Sequence, residues 1–404
     1  MRLVFCIVSL LTIQSVCGQH VFNSPYSVYG LGLVHDRASA FNHSLGGTGI
    51  AVRDEFNLNH VNPASYNSII SPISHIYEAG FYIESNHYET QSLRVSKTDG
   101  SLTGLGYWFR FSPRWSAALA LLPMSSVSYN IRTEREIGTG SPGTYRFEGK
   151  GNISQLSFGN SLKVTENLSL GVRASLLFGA LRKNEIIEQE DLSSGFMLEK
   201  KVTVNKLDFD FGLQYKINVG KNNLVLGVTV DDGLSLRGVR TYSLFNDELD
   251  TLHAGTSSAI RYSLPFSAGG GLAFHTKRSI VSADAVFKKW SNAYLAEDNV
   301  TLLDTWRFSI GYVYKGNVES ENYWNTISFR AGYYVQQHYM SFDRQRLPNY
   351  GFSTALSFPI QGNRASINLT YSYDKLGTVQ NGLILQQSID LVVRDIWGFK
   401  HKVD

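Results

Sequence analysis

The sequence predicts an all-β protein, a transmembrane antiparallel β-barrel of about fourteen strands closed around an N-terminal luminal hatch. Three observations carry this expectation. From about residue 73 onward, apolar and polar residues alternate with period two; the links between these stretches are by turns short and long; and after the N-terminal leader no apolar run approaches the ~20 residues of a membrane helix.

The N-terminus is read first. Met1-Arg2-Leu3 is a short basic start, and Val4 to Ile13 is an apolar stretch of signal-peptide length, too short to cross a bilayer as a helix. Val16 and Gly18 supply the small residues of a cleavage site, so residues 1–18 read as a signal peptide cut before Gln19. The competing lipoprotein reading would acylate Cys17, but Gln14 and Val16 are poor neighbours for that processing. The chain has 2 cysteines, Cys6 and Cys17, both in this leader. The exported chain is therefore expected to have no thiol for a disulfide, a metal or nucleophilic catalysis.

Composition narrows the class further. The 404 residues include 36 Gly, 22 Tyr and 23 Phe and are 18% charged, which favours strands over helices. A formal net charge of +3 is too weak and scattered for nucleic-acid binding. Residues 19–72 differ in character from the remainder of the chain. They carry Ser24-Pro25-Tyr26, Leu45-Gly46-Gly47-Thr48-Gly49-Ile50-Ala51 and Asn62-Pro63-Ala64-Ser65 and alternate little. Such a segment is too long for a tail and too irregular for lipid-exposed strands, so its natural place is the lumen, with the barrel occupying 73–404.

Strands are expected near 73–84, 102–111, 114–129, 151–164, 168–183, 201–217, 222–237, 258–275, 279–290, 302–315, 324–336, 349–360, 364–374 and 382–395. The clearest is Ala365-Ser366-Ile367-Asn368-Leu369-Thr370-Tyr371-Ser372-Tyr373, with Ala, Ile, Leu and Tyr on one face and Ser, Asn and Thr on the other. Asp208-Phe209-Asp210-Phe211 repeats the pattern with charges on the second face. A β-sandwich would alternate too, so the links decide. Ser112-Pro113, Thr165-Glu166-Asn167, Asn218 to Lys221, Thr276-Lys277-Arg278 and Gln361-Gly362-Asn363 are tight, whereas 85–101, 130–150, 184–200 and 238–257 read as long polar loops. Short turns on one rim and long loops on the other are the membrane-barrel pattern, and closure leaves no backbone edge in hydrocarbon. Gly316 to Tyr323 is longer than its rim predicts. Trp115, Trp290, Trp306, Tyr312, Tyr314, Trp324 and Trp397 fall near strand ends, where interfacial girdles are expected.

Several motifs carry no separate chemistry. Gly46-Gly47-Thr48-Gly49 has no strand before it, no amphipathic helix after it and no Lys-Ser/Thr pair, so it reads as turns in a packed plug rather than a phosphate loop. Asn62-Pro63 reads as a turn opened by an Asx side chain and fixed by proline, with a gate as the second reading. His75, His253, His275 and His338 are scattered outside any nucleophile context. Asp231-Asp232-Gly233 lacks the further acidic ligands of a calcium loop and reads as a turn. The expectation is a non-enzyme with no cofactor and no metal.

Four stretches together resemble the FadL/TodX family of outer-membrane hydrophobic-compound transporters. They are Leu45 to Gly49, Asn62-Pro63-Ala64, Ser282-Ala283-Asp284 through Trp290-Ser291-Asn292, and Trp306 to Tyr312 ahead of Arg330-Ala331-Gly332-Tyr333. The resemblance covers nearly the whole chain after the leader. It implies a fourteen-stranded barrel in the outer membrane of a Gram-negative bacterium, with lipid and a hydrophobic small molecule, such as a fatty acid, as its partners. It also implies an inward-folded hatch bearing Gly46, Gly47, Gly49, Asn62, Pro63 and Ala64, and a sideways exit where a strand is kinked. Pro123, with Met124, is the candidate lateral opening, because proline cannot donate to a ladder; a proline at the outer rim is the plainer reading. One departure stands out. Arg173, Asp208, Asp210, Asp284, Arg307 and Arg330 fall on the luminal face, where they form a candidate charge network that anchors the hatch and argues against a wholly apolar path. The alternative is a barrel subunit of a secretion or assembly complex that transports nothing and binds other envelope proteins.

The fold expectation is checked directly: in detergent the protein should give a β-rich circular dichroism spectrum and heat-modifiable gel migration, and a mainly helical spectrum would overturn it.

Overall fold

The computed structural model describes residues 25–35, 39–70, 72–137, 141–189, 196–245, 250–294, 301–342 and 345–398. The expected signal peptide, residues 1–18, and its cut before Gln19 lie outside the described residues. The strands are β1 (His75–Glu89), β2 (Arg94–Ser112), β3 (Trp115–Ile137), β4 (Ser141–Lys163), β5 (Leu168–Gln189) and β6 (Phe196–Val219). β7 is split into Asn222–Asp231 and Leu234–Phe245, and β8 into Thr251–Leu264 and Phe266–His275. Next come β9 (Ser279–Lys289), β10 (Thr301–Leu302 with Thr305–Tyr314), β11 (Ser328–Phe342), β12 (Gln345–Ile360), β13 (Ala365–Leu376) and β14 (Leu383–Trp397). They form a closed antiparallel barrel of 14 strands. Closure is made by β14 against β1, from Leu383↔Glu89 to Trp397↔His75.

Alternation sorts the side chains. Phe209, Phe211 and Leu213 of β6 and Phe308 and Ile310 of β10 face outward, with Phe211 54% and Ile310 59% exposed, while Asp208, Asp210 and Ser309 between them are buried. An outer belt of such residues belongs against lipid, since in water it would be a very large unprotected apolar surface. Inside a closed sheet every ladder group is paired, which is the condition for crossing hydrocarbon as strands.

The structure corrects two sequence expectations and accounts for a third feature. Much of 85–101, 130–150, 184–200 and 238–257 is strand rather than loop: β1 and β2 reach Glu89 and Arg94, β5 reaches Gln189 and β6 starts at Phe196. Beyond the lipid both faces of a hairpin meet water, so ladder bonds extend the strands without apolar alternation to announce them. Trp290 is not a girdle residue. The chain leaves β9 into a 3-10 turn, Trp290–Asn292, that buries the ring, and it stacks on Tyr339 at 4.0 Å. The long tenth link is occupied by a second 3-10 turn, Tyr323–Thr326, whose Asn322 cap accepts from the Trp324 N–H.

Residues 25–35 and 39–70 lie inside the barrel as the hatch, held by short pieces. These are the 3-10 turn Pro25–Val28, the two-residue strand Leu33–Val34, the helical turn Ala40–His43 capped by Ser39, and the 3-10 turn Pro63–Ser68 capped by Asn62. Amide side chains tie them together alongside apolar clusters in which Phe41, Leu45 and Val52, and Leu58, Tyr66 and Ile69, pack against the wall. Asn42 donates to the Thr48 carbonyl at 2.9 Å, and Asn59 donates to those of Gly49 and Val52 at 2.6 and 2.9 Å. Two polarities share the luminal wall. On β4, β5 and β6 next to the central hatch it is polar (Gln155, Ser157, Ser175, Gln214); toward the other end of the same strands it is apolar, where Ile153, Leu177, Leu181, Val202, Val204, Leu236 and Tyr262 close over Leu31 and Met124.

The hatch touches the wall at main-chain distance because glycines line it. A Cβ at Gly171 would overlap the Pro63–Ala64 main chain, one at Gly227 the Ile50 carbonyl, and one at Gly332 the Leu45–Gly46 peptide. Gly332→Val is expected to lower the unfolding midpoint in detergent, at the ~1–3 kcal/mol typical of overpacking, and to speed cleavage of the hatch by added protease. Gly270→Val, where a Cβ meets nothing, serves as the neutral control, and equal behaviour of the two variants would contradict the seating described.

Candidate functional site

The site is built where hatch and wall meet. Asn62 Oδ1 accepts from the Ala64 N–H at 3.0 Å, which caps the 3-10 turn. Its Nδ2 donates to the Ile50 carbonyl at 2.7 Å and faces the Leu213 and Val228 carbonyls of β6 and β7 at 3.2 and 3.4 Å. Proline at the first position of that turn costs no hydrogen bond, because its N–H would be unused. Ala64 is fully buried, and its carbonyl accepts from Ser161 of β4 at 2.9 Å. Asn62-Pro63-Ala64 thus plugs into the wall across several strands. Gly46 and Gly47 take positive φ, 64° and 85°, as turn glycines do; Gly49 does not, and is there because a Cβ would strike Asn42 and Asn59.

The six luminal charges differ in what they meet. Arg173 Nε and Asp210 Oδ2 pair at 2.9 Å with both side chains buried, and Arg173 also donates to the His60 carbonyl. Asp284 Oδ2 accepts from the N–H groups of Gly49 and Ile50 at 2.7 and 2.9 Å. Arg307 donates to the Gly46 carbonyl at 3.1 Å and covers the Tyr334 ring at 3.9 Å. Arg330 donates to Asn368 at 2.8 Å and lies 5.3 Å from the Phe41 ring centroid. Asp208 is buried on β6, two residues from Asp210. Arg173, Asp284 and Arg307 therefore spend bonds on hatch main chain, where a fixed charge meets fixed dipoles. Burial, and then the charge of Arg173, push His60 down to about 3, so its ring is neutral where it meets the Tyr66 hydroxyl at 3.2 Å.

Further contacts escaped the sequence reading. Arg394 of β14 donates to the Phe56 carbonyl at 3.0 Å, and Asp390 meets His43 at 2.8 Å. The register rule that marks Arg330 would have marked both, since they alternate with the outward Ile389 and Leu391. Leu33–Val34 gave no signal, because a two-residue strand is below any periodicity. Among the described residues no group of three His, Cys, Asp or Glu side chains is placed to hold a metal. Asp231 Oδ1 accepts from the Gly233 N–H at 3.0 Å, which makes an Asx turn at the break in β7.

One seam of the wall is incomplete. β2 and β3 pair from Ser112↔Trp115 up to Leu105↔Leu121, and among the described residues no pair joins them beyond that level. Pro123 stays in register with Ser154 of β4, and Met124 forms a bulge before Ser125. Proline has no N–H for the β2 side, and the bulge bends β3 away from it. The freed edge of β3 takes a substitute partner: Leu33↔Ser126 and Val34↔Ser125 pair, and the His35 N–H donates to the Met124 carbonyl at 2.9 Å. Behind the seam lies a cavity of about 300 Å³ lined by Thr103, Leu122, Pro123, Glu84, Trp290 and Arg307, among others. A space of about 170 Å³ that includes Met124 and Val230 shares Trp290, Lys288 and Arg307 with it.

A wall closed on itself, an apolar outer belt and a bonded inner hatch define a plugged membrane β-barrel. The BamG family model matches residues 1–404, and the chain belongs to that family. No curated protein sequence matches it. Among solved structures, a FadL homologue of Pseudomonas aeruginosa is similar at TM-score 0.60 and 12% identity, covering 91% of this chain and 99% of its own. The toluene transporter TodX of Pseudomonas putida is similar at 0.57 and 18%, with 88% and 96% covered. The monoaromatic hydrocarbon channel CymD is similar at 0.59 and 13%, with 90% and 98% covered. At such identities the likeness is one of fold.

The buried pair gives the sharpest test of hatch anchoring. Asp210→Asn leaves Arg173 charged without its partner and should cost about 3–5 kcal/mol, whereas Arg173→Met with Asp210→Asn should cost less than that single change. Urea unfolding in detergent measures both, and equal losses would show that the pair is not what holds this contact.

Proposed function

We propose that this chain is a passive transporter of small hydrophobic molecules, such as fatty acids, in the outer membrane of a Gram-negative bacterium. The observation that carries this reading is that the residues flanking the end of the β2–β3 ladder, Thr103, Leu122 and Pro123, also line the cavity. A hatch bonded to the wall denies water a path through the lumen, while a slit at lipid depth lets an apolar solute leave sideways without crossing the polar interior. The lining is amphipathic: Trp290 and Leu122 face the same space as Lys288, Arg307 and Glu84. That suits an apolar cargo with one polar end. In this reading Pro123 and Met124 keep β3 off β2, and Asn62-Pro63-Ala64 with the turn glycines keep the floor shut.

A second reading, a non-transporting barrel subunit of a secretion or assembly complex, is favoured by one specific observation. The upper interior of β3 to β8 is filled by its own apolar side chains, packed on Leu31, rather than left as a conduit.

A crosslink tests the first reading. With Thr103→Cys and Leu122→Cys in a chain whose cysteines otherwise lie at 6 and 17, complete oxidation should stop uptake of a labelled fatty acid, and reduction should restore it. Unchanged uptake with the crosslink complete would remove the seam from the mechanism. Stoichiometric recovery with other envelope proteins from native membranes, together with normal growth of a deletion strain on hydrophobic substrates, would favour the subunit.

A further inference from the structure

The seam has two edges, and they are treated differently. The β3 edge is covered by the hatch through Leu33, Val34 and His35, and the Ser27 hydroxyl adds bonds to the Ser128 N–H and carbonyl at 3.2 and 3.1 Å. Among the described residues the β2 edge has no such partner. Residues 94–104 pair with β1 on one side, from Glu89↔Arg94 to Gly80↔Gly104, and among the described residues have no ladder partner on the other. No residue of 94–104 is in the buried class, although the Asp99 side chain is 8% exposed beside Lys97, and none is proline. At the foot of this edge the ladder to β1 skips Thr103, whose buried hydroxyl has no hydrogen-bond partner among the described residues.

The level of this edge determines what it requires. Its lower part sits beside Phe81 and Ile83, which are 49% and 65% exposed on the lipid face, opposite Leu102 and Gly100. Unpaired main-chain groups at that depth are costly, and strand addition is the economical way to satisfy them. Above it the outward residues are polar, with Ser85 opposite Thr98 and His87 opposite Ser96. We propose that the free edge of β2 is a docking site for an amphipathic β-strand of another polypeptide. The wall specifies that strand. It must be apolar where it stands beside Leu102 on the lipid face, small or polar beside Thr103 on the cavity face, and polar on both faces beside Arg94 to Asp99. The hatch already adds a strand to the opposite lip of the same slit, so the geometry for strand addition is present. This inference rests on neither reading above; a docked strand would fill the slit and so exclude sideways exit while it is bound.

The test uses the full chain in nanodiscs and a synthetic peptide copying residues 365–374, an amphipathic strand of known pattern. Amide hydrogen exchange of 94–104 should be fast in the free protein, relative to 76–80 of β1, and should slow on the order of tenfold with the peptide. The same peptide N-methylated at alternate positions should give no protection. Thr98→Pro, which by the register from the Thr90–Leu93 turn removes an N–H that faces the open edge, should weaken protection; should that variant not fold, the N-methylated peptide still decides. In cells, a photocrosslinker at Ser96 should give an adduct that maps to a strand of a second polypeptide. Protection of 94–104 in the free protein equal to that of 76–80, equal effects of the two peptides, or adducts confined to lipid or to residues 122–132 of the same chain would each overturn the proposal.

Discussion

The structure depends on one constraint: at lipid depth every main-chain N–H and carbonyl must find its partner inside the protein. Fourteen strands closed by β14 against β1 meet it around almost the whole circumference. The constraint also gives meaning to the place where it is relaxed. Above Leu105 and Leu121 the ladder stops, and β3 turns to the hatch for a partner while β2 has none among the described residues. A gap of this kind in a soluble sheet would be filled by water.

A closed barrel still has to fill its lumen, and this one does so with a segment whose apolar side chains, Phe41, Leu45, Leu58 and Tyr66 among them, share core clusters with the wall while polar groups fix its main chain. Asn42, Asn59 and Asn62 bond carbonyls within the hatch, and Arg173, Asp284, Arg307 and Arg394 reach from the wall to its main chain. Those bonds are short only because the wall is stripped to glycine where the hatch presses on it. Charge and glycine therefore work as one device: the glycines allow contact, and the buried charges make it specific. A single buried pair such as Arg173 with Asp210 is weak evidence of net stability, since desolvation offsets much of its attraction. Its clearer effect is to fix where the hatch sits.

The two halves of the lumen pull the functional reading in different directions. The cavity lined by Thr103, Pro123 and Trp290 lies beside the seam, where a sideways route would need it. The apolar cluster around Leu31 and Met124 closes the upper interior of β3 to β8, as a structural barrel would allow. Both features follow from the same bend at Pro123 and Met124, which opens the wall toward β2 and carries β3 inward onto the hatch.

The sequence by itself determined the strand count, the inward or outward sense of residues such as Asp210 and Phe211, and the short rim, because a period of two residues is a local property. It also marked Arg173, Asp284, Arg307 and Arg330 as luminal, by the same parity. It could not show that the polar stretches beyond the lipid are strands, since a hairpin wetted on both faces needs no alternation. It misplaced Trp290 for a related reason: a turn of three residues, not parity, aims that ring. The open seam, the pairing of Leu33–Val34 with β3 and the match of hatch main chain to wall glycines were decided only by the tertiary structure. The last two join residues about ninety or more apart in the chain, across a barrel whose closure fixes which strands can meet.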